Sequence, residues 1–195
     1  MASNTRTRTA AQPATRTAQT RQAITLELAV AICPNAALAE NLSRTFGLDP
    51  VDAAAIRESV EEHLALASKE LPLSEKALEM HLQRVVSAFV GSAFGAGQFY
   101  SGKVTQAREL TMASANDDRD EDRDGVAGFE SRAERARIFV AQMGLQAHAL
   151  LAAAEGAVSA YAHLTGSEWK PYEAPTMAPN VSRASAAAQM GALGA

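Results

Sequence analysis

Apolar residues in this chain recur mostly at steps of three and four, the spacing that gathers them on one side of an α-helix, and Pro, Gly or charge interrupts the pattern at a few places. Two segments dominate. From its cap at Ser74, a stripe running through Leu78, Leu82, Val85, Phe89, Ala93, Ala96, Tyr100, Val104 and Ala107 predicts a helix to about Asn116. A second stripe, through Phe129, Ala133, Ala136, Val140, Met143, Ala147, Leu150, Ala154 and Tyr161, predicts another from about Gly128 to Leu164, stopped by Gly166. Each segment is about 40 residues long, or roughly 60 Å at about 1.5 Å per residue. A short connection folds them into an antiparallel hairpin.

Shorter elements precede the hairpin. ITLELAVAI, from Ile24 to Ile32, alternates like a strand, but its Leu and Ala content suits a buried helix, and we read it as helix. Pro34 breaks it. Asn35 to Phe46 predicts a short helix ended by Gly47 at the left-handed cap position. Asp49 followed by Pro50 reads as an N-cap with proline at the first helical position, opening a helix to about Glu70, and Pro72 closes it. The expected fold is therefore all-α, a bundle dominated by a long, coiled-coil-like helical hairpin, in one domain over 21–170.

The ends differ in character. Residues 1–20 are Thr/Arg/Ala-rich with no apolar face to bury and are expected to be disordered; their composition also fits an organellar transit peptide. Residues 171–195 form a Pro/Ala-rich tail, expected to be extended or disordered, with Trp169 or Tyr172 pinning its start to the bundle. The connection between the long helices is DDRDEDRDG, Asp117 to Gly125, an acidic turn.

Composition adjusts this picture in two ways. Alanine is about a fifth of the 195 residues and aromatics are 5%, so the core is built from small side chains at close helix separations. The net charge of -4 argues against a protein that coats nucleic acid, yet charge is unevenly placed. Arg6, Arg8, Arg16 and Arg21 give residues 1–22, the arm and its junction with the domain, a formal +4 with no acid, and Asp117 to Asp124 carries a formal -4. The lone cysteine, Cys33, forms no intramolecular disulfide, so a reducing cytoplasm is the default compartment, and no run of apolar residues reaches membrane-spanning length.

Candidate chemistry is thin. Asp120, Asp122 and Asp124 at alternate positions before Gly125 resemble the start of a calcium loop of the EF-hand type, in which carboxylates surround a hard cation. That pattern needs Glu at loop position twelve, which is Ser131 here, with Glu130 one place early. Calcium is the one cofactor considered. GQFYSGK, with Gly97, Gly102 and Lys103, has the spacing of a phosphate-binding P-loop but is followed by Val104 where a Mg²⁺-holding hydroxyl belongs. A basic arm, an alternating segment and two helices follow the order of a ribbon-helix-helix repressor, making nucleic acid an alternative partner through the arm, although Glu27 falls on the outward face of the would-be ribbon. His63, His81, His148 and His163 are scattered and form no Glu-x-x-His or His-Glu-x-x-His pair.

One further pattern points to contact rather than chemistry. Ser87, Gly91, Gly95 and Gly102 lie on the face of the first long helix nearly opposite its apolar stripe. Each interior glycine costs a helix about 1 kcal/mol relative to alanine, and close approach of another helix is the simplest compensation. The expected function is that of a non-enzymatic helical scaffold or adaptor, self-associating into a homo-oligomer through this Ala/Gly-rich hairpin. The alternatives are the nucleic-acid-associated regulator and a calcium-responsive binding protein.

Overall fold

The computed structural model describes the backbone of residues 23–117 and 123–171, with side chains over 23–112 and 132–171. Within them the chain is all-α: α1 (Leu26–Ile32), α2 (Ala36–Phe46), α3 (Ala53–Glu70), α4 (Glu75–Asp117) and α5 (Arg123–Thr165). Local chemistry explains most boundaries. Thr25, Asn35 and Ser74 each accept a hydrogen bond from an amide in the first turn of the helix they precede, at 3.2, 2.9 and 3.4 Å. Gly47 and Gly166 end α2 and α5 with φ of +62° and +67°, a region open to glycine without steric cost.

One start differs from expectation. Helix α3 opens at Ala53, not beside Pro50, because the carboxylate of Asp52 accepts from the amide of Ala55 at 3.0 Å. Asp49 and Pro50 therefore belong to the connecting turn. Helix α5 also begins earlier than expected, at Arg123, so the helical backbone includes Asp124, Gly125 and Glu130.

Helices α4 and α5, 43 residues each, form the antiparallel hairpin. Paired contacts run in opposite directions along them: Tyr161 reaches Glu79, Gly144 faces Tyr100, Phe139 meets Phe99 and Arg137 bonds Thr111. The short helices cover this hairpin, α3 and α2 lying on α5, and α1 lying on α4 while touching α5. Helix α5 is thus the central element. From Ala141 to Tyr161 it is buried on nearly every side, including Leu145, Ala147, Leu151, Ala154 and Ala157, rather than along the single stripe its periodicity predicts. A helix apolar all round is one surrounded by neighbours, and alanine lets several approach at once.

The core of α4 is also rotated relative to its predicted stripe. Leu82, Val86, Val90 and Ala93 are the most deeply buried, while Val85, Phe89, Ala96 and Tyr100 are half-buried. The shift arises because α4 meets α1 as well as α5, so its buried face is wide. Two polar ties fix the α1–α2 junction: the Cys33 thiol donates to the Ala93 carbonyl at 3.3 Å, and His148 Nδ1 lies 2.8 Å from the carbonyl oxygen of fully buried Pro34. After Gly166 the chain folds back, and Trp169 closes the core with 7% exposure while Gln83 donates to the Lys170 carbonyl. Tyr172, the other expected pin, lies outside the described residues.

Candidate interaction surface on helix α4

Glycines divide into two groups by what a methyl group added at each would meet. At Gly97 it would fall 2.6 Å from Ile32 Cγ1 and 2.9 Å from Cys33 Sγ; at Gly144, 2.7 Å from Leu42 Cδ1; at Gly156, 2.6 Å from the backbone oxygen of Arg57. These three let α1, α2 and α3 approach the hairpin. At Gly91, Gly95 and Gly102 it would meet nothing within 4 Å. Among the described residues, the glycines of the row read in the sequence as a helix-contact seam meet no other helix.

From Ser87 to Gly102 the row is uncharged, and exposed Arg84, on the same side of the helix, bounds it at its N-terminal end. Between Arg84 and Lys103 no residue of α4 carries a charge on any face. Ser87 turns its hydroxyl back onto the Gln83 carbonyl at 2.7 Å, and Gln98, which interrupts the row at the same spacing, is the exposed polar side chain on this face. At about 100° per residue, Phe99 flanks the glycines and Met80 lies on their side beyond Arg84; they are 49% and 51% exposed. Phe99 packs edge-on against Phe139 with ring centroids 6.5 Å apart, which stiffens the lower margin of the surface.

This geometry also places the other sequence candidates. Gly97 and Lys103 sit in the middle of α4, where the backbone amides are engaged in the helix; Gly97 is the contact point for α1, and the Lys103 ammonium lies 5.3 Å from the Phe99 ring centre and donates to Gln106. A phosphate cradle needs amides free at a loop or a helix start, and this segment is neither, so the P-loop spacing is coincidental. The segment that alternates like a strand is helix α1, so the ribbon of a ribbon-helix-helix protein does not form from it.

Arg6, Arg8, Arg16 and Arg21 of the arm lie outside the described residues, as do Asp120 and Asp122 and the side chains of Asp124 and Glu130. Among the described residues no group of three or more His, Cys, Asp or Glu side chains is placed to hold a metal ion, and no helix is long and apolar enough to cross a membrane.

Cys33 is not arranged as a nucleophile. Burial pushes its thiol pKa up, only partly offset by the Gly97 backbone, whereas a reactive thiol requires the reverse. A separate feature had no counterpart in the sequence reading: a cavity of about 470 Å³ between α2, α4 and α5, with apolar walls and Arg108 and Arg137 at its lip. Its residues come from three helices distant in sequence, so no local pattern announces it. Among known proteins the chain has no match: no family model, no curated protein and no solved structure is significantly similar to it.

Proposed function

We propose that the chain is a non-enzymatic helical interaction protein, a scaffold or adaptor that self-associates by laying the outer face of α4 against the same face of a second copy. The open row of Gly91, Gly95 and Gly102 is the observation that carries this reading. Glycine inside a helix costs about 1 kcal/mol relative to alanine. At Gly97, Gly144 and Gly156 that cost is offset by neighbours that would clash with a side chain; at the open row nothing among the described residues offsets it. A second helix approaching backbone to backbone would do so. The partner is best a copy of the same helix, because the uncharged stretch from Ser87 to Gly102 can meet itself across a two-fold axis without juxtaposing like charges. A reducing compartment such as the cytoplasm suits a chain whose single thiol is free and buried.

Light scattering on a sizing column tests the proposal. The wild-type chain should be a dimer or higher oligomer at about 100 micromolar, a concentration that captures weak association. Gly91→Gln with Gly95→Gln should be monomeric with helical content unchanged, since both positions have space for the added side chain. A monomeric wild type, or a variant that assembles as the wild type does, overturns it.

A further inference from the structure

The cavity between α2, α4 and α5 has the composition of a ligand site that the scaffold reading does not use. Its volume, about 470 Å³, lies within the roughly 300–1,000 Å³ usual for small-molecule pockets. Leu42, Phe46, Val104 and Val140 supply walls of purely hydrocarbon or aromatic surface, and Tyr100 presents its ring. The site is an open groove, and an apolar occupant would cover these walls from water.

The lip is different in kind. Arg108 projects from α4 and Arg137 from α5, and among the described residues neither is paired with a carboxylate. Arg137 reaches across to α4 and donates to Thr111 Oγ1 at 3.3 Å, which holds its guanidinium at the opening. The field of Arg108 extends to the wall: burial raises the Tyr100 phenol pKa, and the Arg108 charge opposes that rise.

From an open apolar groove with two cations in its lining, we propose that it binds a free amphiphilic monoanion, a linear carboxylate whose chain lies along the groove while its head meets Arg108 and Arg137. Guanidinium groups bond carboxylates through charge-assisted, often bidentate hydrogen bonds, which fixes the head at the lip. The chain's own acidic block, Asp117 to Asp124, has carboxylates but no apolar group with which to fill the space. A neutral amphiphile could fill it but would gain nothing from the arginines, and a cationic one would be repelled by them.

Titration calorimetry with laurate, below its micelle-forming concentration, tests this against dodecanol and dodecyltrimethylammonium. Laurate should bind one per chain with a dissociation constant on the order of ten to a hundred micromolar. The alcohol should bind about tenfold more weakly, and the cation should give no heat. Arg108→Gln with Arg137→Gln should reduce laurate affinity to that of the alcohol and leave the alcohol unchanged. Val140→Phe and Ala107→Leu, which narrow the groove, should abolish binding of both; emission from Trp169, the single tryptophan, reports whether each variant remains folded. The site is overturned if laurate gives no heat, if laurate and alcohol bind equally, or if laurate affinity survives the arginine pair or a folded, narrowed variant. Both arginines are exposed, so that pair of substitutions decides the matter even where the narrowed variants unfold.

Discussion

Gly156 shows how much a single hydrogen atom in place of a side chain can determine. It lies in the buried half of α5, next to Glu155, whose carboxylate pairs with Arg57 at 2.6 Å across to α3. That pair is partly exposed and contributes at most about 1 kcal/mol. The backbone contact beneath it is stiffer, because the atoms a Cβ would strike are the oxygen and Cα of Arg57, at 2.6 and 2.9 Å. Gly156→Ala must therefore displace α3 as a unit, and we expect a loss of about 2–3 kcal/mol in urea unfolding followed by circular dichroism. At Gly144 the obstacles are the ends of the Leu42 and Tyr100 side chains, which can rotate away, so Gly144→Ala should cost less than about 1 kcal/mol. Equal costs at the two sites would mean that α3 yields as easily as a side chain. Buried acids make a second prediction at this scale. Burial raises the pKa of Cys33, and burial followed by the charge of Glu79 raises that of Tyr161. In the unfolded chain these groups ionise near about 8.5 and about 10. The folded chain holds both protons more tightly, so the stability they contribute is complete below about pH 8.5 and is lost as pH rises through the folded values. The urea midpoint should fall with rising pH above that point, and Cys33→Ala should remove the earlier part of the decline.

Caps and stripes decide the elements, and they were legible in the sequence to different degrees. The two aspartates before α3 provide a direct measurement: Asp52→Ala should cost about 1 kcal/mol, as loss of a helix N-cap does, and Asp49→Ala no more than a few tenths. Reversed values would restore Asp49 and Pro50 as the start of the helix. The Asp-Pro signature is a real local preference, but Asp52 offers the same cap three residues later, directly before an unbroken alanine run. Ser74, Gly47 and Gly166 had no such competitor and cap or end the helices as their residue types predict, whereas Asn35, expected as the first residue of α2, is its N-cap. The helical hairpin was legible because steps of three and four persist over many turns of both segments. The full burial of α5 was not, since periodicity reports the side facing one partner, and here α1, α2, α3 and α4 all meet the same helix. For the candidate surface, the glycine row was visible as a pattern, but whether it faced inward or outward depended on where α1 to α3 dock. Gly97, read as part of a phosphate loop, proved to be a packing contact for the same reason.

At the scale of the whole molecule, salt would tell apart two routes to the proposed self-association. One is the uncharged stretch of α4 from Ser87 to Gly102; the other is attraction between the formal +4 arm and the formal -4 block, within or between chains. Gly102, the nearest member of the row, is 15 residues along α4 from Asp117, or roughly 22 Å at about 1.5 Å per residue. That exceeds the Debye length of about 8 Å at physiological ionic strength. The acidic tip therefore exerts little force on the glycine face, and an interface built there is nearly indifferent to salt. An interface built from arm and block weakens steeply as salt rises. For the full-length chain we expect the association constant from light scattering to change less than about threefold between about 0.15 and 0.5 M NaCl, and to survive deletion of residues 1–20. The substitutions Gly91→Gln and Gly95→Gln should remove it at both salt concentrations. If the oligomer instead dissociates with salt and with loss of the arm, while the glycine substitutions leave it intact, the charged ends hold the assembly together and the open glycine row does not.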